Sequence, residues 1–273
     1  MAPPQTPDTL SEPHRPPGRP AAAVLDDLPL IGCVVALAAG PRRAELATLF
    51  VRRGAKVVEI PALAAADEDG SAERAAERLA ETVIRREVHS VVFNSAAEFA
   101  ALLDAADAAG QRADLLAALR TEVTALCADP VCARPLELLG VSPLWPDRPR
   151  LGALVSALCT GLPPRIRREV PLTVGRTLVL QGFAAVIDDT PAILPPLPAA
   201  VLAELARQPG WVVSRADLLR RVWAPRGVGV GKRDEHAVEA TIARLRAALG
   251  PNAALIRTVT KRGYRLAVEG ENW

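Results

Sequence analysis

Between residues 28 and 164 the sequence alternates short apolar runs with amphipathic stretches, and this alternation constrains the fold more than any other feature. Parallel strands that are covered by helices on both faces are short and uniformly apolar. The runs are Ile31–Leu37, Val57–Ile60, Ser90–Phe93, Val123–Cys127 and a weaker fifth, Val141–Trp145. They predict an α/β domain over residues 28–164, built on a flavodoxin-like, doubly wound parallel sheet.

Turn and capping residues mark the helices between these runs. One predicted helix lies between Gly40 and Gly54, and Ser71–Arg86 has the Ala/Glu/Arg composition of a second. Ser95 begins a third with a capping box, and Gln111–Arg120 supplies a fourth. A fifth begins at the N-cap Asp129 and ends at Gly140.

Charge and proline are distributed unevenly along the 273 residues, which are enough for two domains. The first 27 residues hold seven of the 25 prolines and no apolar periodicity, which predicts a disordered tail over 1–27. Residues 1–164 carry a net charge of −5, whereas residues 165–273 carry +7. An acidic module joined to a basic domain indicates nucleic-acid binding, although a basic face that only aids solubility has the same charge.

The sequence shows no apolar stretch long enough to span a membrane and no apolar core of a secretory signal, so we expect a cytoplasmic protein. Four cysteines and three histidines have neither zinc-site nor disulfide spacing. We therefore expect buried thiols, no metal and no cofactor.

A phosphorylated receiver is the obvious acidic module to precede a basic domain, but its chemistry is missing. Phosphoacceptor function needs an aspartate after the third strand, acidic metal ligands after the first and a lysine after the last. Here Asn94 and Ser95 follow the third run, residues 38–40 are Ala-Ala-Gly, and Lys56 is the only lysine before residue 232. Aspartyl phosphorylation is not expected.

Three segments of the first domain carry a family resemblance. They are Val-Val-Phe-Asn-Ser-Ala at 91–96, Cys-Ala-Asp-Pro-Val-Cys-Ala at 127–133 continuing to Gly140-Val141, and Leu151–Val155. Residues 30–163 thereby resemble one lobe of the uroporphyrinogen-III synthase family. This sequence departs from the family pattern at three positions. Asn94 and Cys132 stand where the family has threonine, and Asp129 stands where the family has glycine. The family enzyme works in a cleft between two lobes and this chain has length for one, so the resemblance implies the fold of a lobe more than the synthase reaction.

A ligand of such a lobe is expected beyond the carboxyl ends of the strands, against helix N-termini. The candidate residues there are Arg42, Asn94, Ser95 and Asp129. As alternatives without a ligand, Ser95 and Asp129 cap helices and Arg42 is a solvated first-turn side chain.

After residue 164 the pattern changes to that of a second domain, over 165–273, which begins with an Arg-rich linker at 165–168. Three runs predict an antiparallel sheet: Leu172–Val174, Leu178–Leu180 and Phe183–Ile187. Three helices follow in the predicted order Pro198–Gln208, Val213–Trp223 and Asp234–Leu249, and Leu255–Leu266 forms a hairpin.

Three blocks carry a second resemblance: Pro-Gly-x-Val-Val-Ser-Arg-x-x-Leu-Leu at 209–219, Val-Glu-x-x-Ile-x-Arg-Leu-Arg-x-x-Leu-Gly at 238–250, and Ile-Arg-Thr-Val-x-Lys-Arg-Gly-Tyr-Arg-Leu at 256–266. The domain resembles the α+β winged helix-turn-helix of OmpR/PhoB-type transcriptional regulators. The resemblance implies sequence-specific binding to double-stranded DNA as a homodimer, with RNA polymerase and a small-molecule effector as further candidate partners.

The third helix has two distinct faces. An apolar stripe that must face the core comprises Val238, Ile242, Leu245 and Leu249. The opposite face comprises His236, Ala240, Ala243, Arg244 and Ala247, with Thr241 and Arg246 on the flanks. A helix face of small residues with one arginine fits the major groove. The same composition is also expected of a solubilising helix in which alanines serve only helix propensity. The resemblance favours DNA contact by His236, Ala240 and Arg244, and the flanking residues Thr241 and Arg246 are further candidate contacts.

Further cations surround this helix. Lys261 and Arg262 lie at the predicted hairpin tip, where a wing contacts backbone or minor groove. Phosphate contacts are predicted for Lys232, Arg233, Thr258 and Arg215. We expect Tyr264 and Trp211 in the core.

The two resemblances together predict a transcriptional regulator with a sensing or docking module, and not an enzyme. The alternatives are a synthase-type lyase carrying a DNA-binding domain and a lobe that serves only as a dimerisation scaffold. Sensor and scaffold both remain open.

Overall fold

The computed structural model describes residues 21–40, 42–63, 70–173, 176–188, 190–226 and 235–268. They form an N-terminal lobe with a parallel sheet and a C-terminal domain with an antiparallel sheet, three principal helices and a hairpin. Among these residues every helix is too short or too polar to cross a bilayer.

The sheet of the lobe has four parallel strands in the order β2-β1-β3-β4, as a flavodoxin-like sheet requires. They are β1 (Val34–Ala38), β2 (Lys56–Ile60), β3 (Ser90–Phe93) and β4 (Thr124–Cys127). The predicted fifth strand, Val141–Trp145, is wrong. It forms only an isolated bridge between Leu126 and Leu144, because Pro143 and Pro146 lack the N–H donors of a ladder.

Helices cover both faces of this sheet. The helices of the lobe are α2 (Arg43–Arg52), α3 (Ser71–Ile84), α4 (Ala96–Ala108), α5 (Arg112–Thr121), α6 (Pro130–Leu138) and α7 (Leu151–Gly161). Alternate residues of β1 point to opposite faces: Val34 and Ala36 pack under α3 to α6, whereas Val35 and Leu37 pack under α2 and α7. The prediction of a doubly wound domain is confirmed.

Part of the predicted disordered tail is ordered. Residues 1–20 lie outside the described residues, but helix α1 (Ala21–Asp27) precedes the lobe, so the prediction is wrong for residues 21–27. Leu25 and Ile31 are buried against Val179 and Val186 of the second domain. This apolar contact compensates for the entropy of ordering the segment.

The second domain begins where a linker was predicted. The short helix α8 (Pro163–Ile166) leads directly into the antiparallel sheet, so residues 165–168 belong to a helix and a strand. Four strands pair in chain order rather than the three predicted. They are β5 (Arg167–Thr173), β6 (Arg176–Gln181), β7 (Ala184–Ile187) and β8 (Thr190–Ile193).

The rest of this domain follows the predicted order of helices and hairpin. Its elements are α9 (Pro196–Leu205), α10 (Arg215–Leu218) with a π-helical turn at Leu219–Trp223, α11 (Glu235–Leu249), β9 (Ile256–Val259) and β10 (Gly263–Leu266). Ser214 caps α10, accepting a hydrogen bond from Asp217 N at 3.0 Å. One apolar core joins the sheet, the helices and the hairpin.

The two domains pack along a seam. Gln181 donates its amide hydrogens to the carbonyl oxygens of Pro29 and Ile31, at 3.0 and 3.1 Å, and Phe183 N donates to Gly32 O at 2.8 Å. A Cβ on Gly32 would lie 2.4 Å from Ala184 N, and its φ of 75° also requires glycine. The backbone of the lobe at Gly32 is therefore in direct contact with the backbone of the second domain at Phe183 and Ala184.

Candidate nucleic-acid interface

The apolar stripe of α11 faces the core. Val238, Ile242, Leu245 and Leu249 are all at most 4% exposed. They lie in the core that also holds α9 and β10. The prediction for this stripe is confirmed, and it fixes which face of α11 is directed to solvent.

The solvent face of α11 is a smooth surface with one cation. The predicted residues His236, Ala240, Ala243, Arg244 and Ala247 are all exposed, and Glu239 is exposed as well. The side chain of His236 is 93% exposed and lies 3.8 Å from Glu239. Arg244 makes no ion pair with another described residue, so its guanidinium is available to an external acceptor.

One predicted contact residue on the flank of α11 is internal. Thr241 is 3% exposed, and its hydroxyl donates to Ala237 O at 2.7 Å. Its position three residues after Val238 and four before Leu245 places it on the stripe side of the helix. Contact between Thr241 and DNA is therefore excluded in this conformation.

Arg246, on the same flank, binds the hairpin formed by β9 and β10. It donates to Ile256 O at 2.8 and 3.1 Å and to Thr258 Oγ1 at 2.8 Å. Both predicted residues, Arg246 and Thr258, thus join α11 to the base of this hairpin, which we call the wing.

The wing is fixed against α10. Val213 and Tyr264 exchange two backbone hydrogen bonds, of 2.8 and 3.0 Å. A Cβ on Gly263 would lie 2.1 Å from Val213 O, so only glycine permits this approach. Beyond it, Lys261 and Arg262 are exposed at the tip, as predicted.

Arg215 links α10, α11 and the wing. Its guanidinium lies 3.1 Å from Glu239 Oε1 and 5.3 Å from the centroid of the Tyr264 ring. Lys232 and Arg233, the remaining predicted phosphate contacts, lie outside the described residues.

Two residues of this surface, Trp211 and Arg257, differ from expectation. Tyr264 is 4% exposed, as predicted, whereas Trp211 is 72% exposed, so the prediction that Trp211 lies in the core is wrong. Trp211 follows Gly210, whose φ of 85° turns the chain outward. Arg257, which was not predicted, is exposed on β9 opposite Arg265, and the apolar–polar alternation after Ile256 could have identified it.

The predicted ligand residues of the lobe are mainly occupied in local contacts. Ser95 accepts from Glu98 N at 3.3 Å and Asp129 accepts from Cys132 N at 2.8 Å, so both cap helices. Asn94 donates its backbone N–H to Glu98 at 2.7 Å, and Arg42 pairs with Glu45 at 2.9 Å.

A small cavity of about 140 Å³ lies at the carboxyl ends of the strands. Arg42 and Asn94 line it together with Arg43 and Arg150, which were not predicted, whereas Ser95 and Asp129 do not. The described residues contain no cluster of His, Cys, Asp or Glu that could hold a metal ion.

Comparison with known proteins matches the two domains separately. The family model "Uroporphyrinogen-III synthase HemD" matches residues 18–156, just over half of the chain. The chain belongs to the uroporphyrinogen-III synthase HemD family. The model "Transcriptional regulatory protein, C terminal" matches residues 189–266, so this HemD-family chain also carries an OmpR/PhoB-type winged helix domain.

Individual relatives divide in the same way. Transcriptional regulatory protein AfsQ1 of Streptomyces coelicolor is 42% identical over 76 residues, which are 27% of this chain and 32% of AfsQ1. The solved DNA-binding domain of CpxR from E. coli is 28% identical, with a TM-score of 0.31, over 38% of this chain and 98% of that one. Uroporphyrinogen III synthase of Thermus thermophilus is 26% identical, with a TM-score of 0.28, over 48% of this chain and 52% of that one.

The HemD-family chain therefore spans about a third of AfsQ1 and about half of the Thermus synthase.

Proposed function

We propose that this protein is a sequence-specific transcriptional regulator that places α11 in the major groove of double-stranded DNA. The observation that carries the proposal is the solvent face of α11 beside a wing fixed by Val213 and Tyr264. On this face alanines surround Arg244, which makes no ion pair with any other described residue. Alanines allow close approach to base edges, and a guanidinium can bind guanine O6 and N7 together.

The proposed roles divide by position. His236, Ala240 and Arg244 face the bases, whereas Lys261 and Arg262 at the wing tip contact backbone or minor groove. Exposed Arg257 joins Lys232, Arg233 and Arg215 as a phosphate contact. Arg246 and Thr258 position the wing through their mutual hydrogen bond.

The lobe acts as a sensing or docking module in this proposal, and aspartyl phosphorylation does not control it. Asn94 follows β3 where a phosphoacceptor aspartate would be needed, and its amide is bonded to Glu98. We further propose a cytoplasmic homodimer on DNA, with RNA polymerase and a small effector as partners.

Selection from a randomised duplex library tests the proposal with the full-length chain. We expect enrichment of a defined sequence, bound with an affinity that falls steeply as salt rises, because phosphate contacts release counterions. Binding that is equal for selected and random duplexes would contradict sequence-specific regulation.

Membership of the HemD family favours a second candidate function, uroporphyrinogen-III synthase activity. The family reaction uses a cleft between two lobes, and the described residues contain one. Incubation of the purified chain with hydroxymethylbilane tests this function. Cyclised product above the spontaneous background would establish it, whereas a ligand-dependent change in DNA affinity without turnover would support the sensor.

A further inference from the structure

An arginine-lined cleft of about 330 Å³ lies on the seam between the lobe and the C-terminal domain. Its volume is within the range of small-molecule sites, roughly 300–1,000 Å³. Six arginines line it: Arg165, Arg167, Arg168, Arg207, Arg221 and Arg226. Arg165 lies in α8, and Arg167 and Arg168 lie in β5. Arg207 follows α9, Arg221 lies in the π-helical turn, and Arg226 lies just after that turn.

The acidic residues of the cleft are too few to balance this charge. Among the described residues, Glu122 and Glu204 are the two carboxylates that line it. Glu204, which is 7% exposed, already binds Arg221 at 2.8 Å and Arg207 at 3.3 Å. Glu122 is paired with Arg86, outside the set of six.

Four of the six arginines therefore form no salt bridge with a carboxylate among the described residues: Arg165, Arg167, Arg168 and Arg226. Arg165 donates to Ser142 O and Arg167 to the side chain of Gln181, both at 2.9 Å. These neutral acceptors do not neutralise the guanidinium groups.

Arg226 is the most enclosed of these cations. One terminal nitrogen donates to Val222 O at 2.7 Å, but its Nε is buried and has no hydrogen-bond partner among the described residues. Burial lowers the pKa of Arg226 and also that of Arg165. A buried unsatisfied donor costs free energy, which a ligand acceptor would recover.

We propose that this cleft binds a small multivalent oxyanion, whose carboxylate or phosphate oxygens are shared by arginines of the seam. Arginine presents a planar fork of donors that matches both groups. The surplus of four positive charges over the two glutamates selects a ligand with several negative charges.

Such a ligand would stiffen the junction between the domains. Arg165 and Arg168 lie where the lobe joins the sheet, whereas Arg221 and Arg226 belong to the helix-turn-helix region. The α9 helix, which carries Glu204, packs against α11 in the same core. Anion binding itself does not depend on the proposed function, but its effect on DNA affinity does.

Calorimetric titration of the full-length chain, without DNA, tests the proposal with sodium pyrophosphate and sodium citrate as separate probes. Sodium chloride at matched ionic strength controls for screening. We expect saturable one-to-one binding of at least one probe. Pyrophosphate alone would assign phosphorylated ligands, and citrate alone polycarboxylates. Absence of saturable binding by both would overturn the proposal.

Variants locate the site. We expect Arg226→Gln to weaken anion binding at least tenfold, and Arg168→Gln, at an exposed position that tolerates change, to weaken it several-fold. The matched control is Arg78→Gln, at an exposed arginine of α3 outside the cleft, which should bind as the wild type does. Equal affinity in wild type and Arg168→Gln, or equal losses in Arg168→Gln and Arg78→Gln, would refute binding in this cleft.

The link to regulation is measured separately. With a selected duplex, the bound anion should change the DNA affinity of the wild type, and Arg168→Gln should need a several-fold higher anion concentration for the same change. Failure of DNA binding with intact anion binding would overturn the proposed function and leave the anion site standing.

Discussion

The imidazole of His89, in the lobe, lies edge-on against the ring of Phe183 in the C-terminal domain, with the ring centroids 4.3 Å apart. Its Nδ1 accepts a hydrogen bond from Val34 N at 3.0 Å, which requires that this nitrogen is unprotonated. Burial lowers the pKa of His89 to about 4. The seam between the domains thus depends on a neutral imidazole.

Stability should fall in mild acid through His89. The unfolded chain takes up this proton near pH 6.5, whereas the folded chain does so only near pH 4. The stabilisation by neutral His89 is therefore complete above pH 6.5 and is lost as the pH falls toward 4, by about 3 kcal/mol. Urea unfolding of the wild type and of His89→Gln at pH 7.5 and 4.5 measures the difference. An identical pH dependence in both proteins would assign the loss to other groups.

Arg244 and Lys261 should differ in what they contribute to DNA binding. Arg244→Ala is expected to weaken binding of the selected duplex by about 1–3 kcal/mol and to relax the preference at one base pair. Lys261→Ala should weaken all duplexes alike and reduce the salt dependence by about one phosphate contact. Titrations against selected and scrambled duplexes separate the two effects. Uniform losses in both variants would contradict base contact by Arg244.

Arg246 should act through the wing. Arg246→Ala removes the hydrogen bonds to Ile256 O and Thr258 Oγ1 and should lower the free energy of unfolding by about 1–2 kcal/mol. The comparison is Arg257→Ala, at an exposed neighbouring arginine, which should change stability by less than about 0.5 kcal/mol while reducing the salt dependence of DNA binding. Chemical denaturation measures the first effect. Equal stability of the two variants would show that Arg246 does not hold the wing.

Gly263 should tolerate no side chain. Gly263→Ala places a Cβ about 2.1 Å from Val213 O, so the wing must separate from α10, at a cost of about 3 kcal/mol or more. Gly250→Ala is the control, because Gly250 also has a positive φ, 52°, but nothing lies within 4 Å of the added atom. We expect it to cost about 1–2 kcal/mol from backbone strain alone. Comparable thermal unfolding of both variants would contradict the close approach.

The sequence predicted the elements whose pattern is local. The predicted bounds of strand β3 match the structure to the residue, because the apolar run Val91–Phe93 ends at the turn residues Asn94 and Ser95. Val141–Trp145 is also largely apolar, but Pro143 within this run and Pro146 directly after it lack the N–H donors that a strand needs. Thr241 could have been assigned to the interior from its spacing to Val238 and Leu245.

Other features depend on contacts between distant residues. Nothing near Trp211 in the sequence shows that the turn after Gly210 directs it to solvent. Likewise, the arginine cleft combines Arg168 with Arg226, which are 58 positions apart and lie in different elements. Periodic patterns in the sequence predict individual helices and strands. They do not predict sites that form only when distant elements pack together.

Helix α1 has a practical consequence for cutting the protein into pieces. Leu25 and Ile31, which precede the lobe, cover Val179 and Val186 on the C-terminal sheet. A fragment started at residue 165 would expose that apolar surface to water and invite self-association. Fragments made for structural or genetic work should therefore retain α1 together with the C-terminal domain, because α1 completes the apolar packing of that domain's sheet.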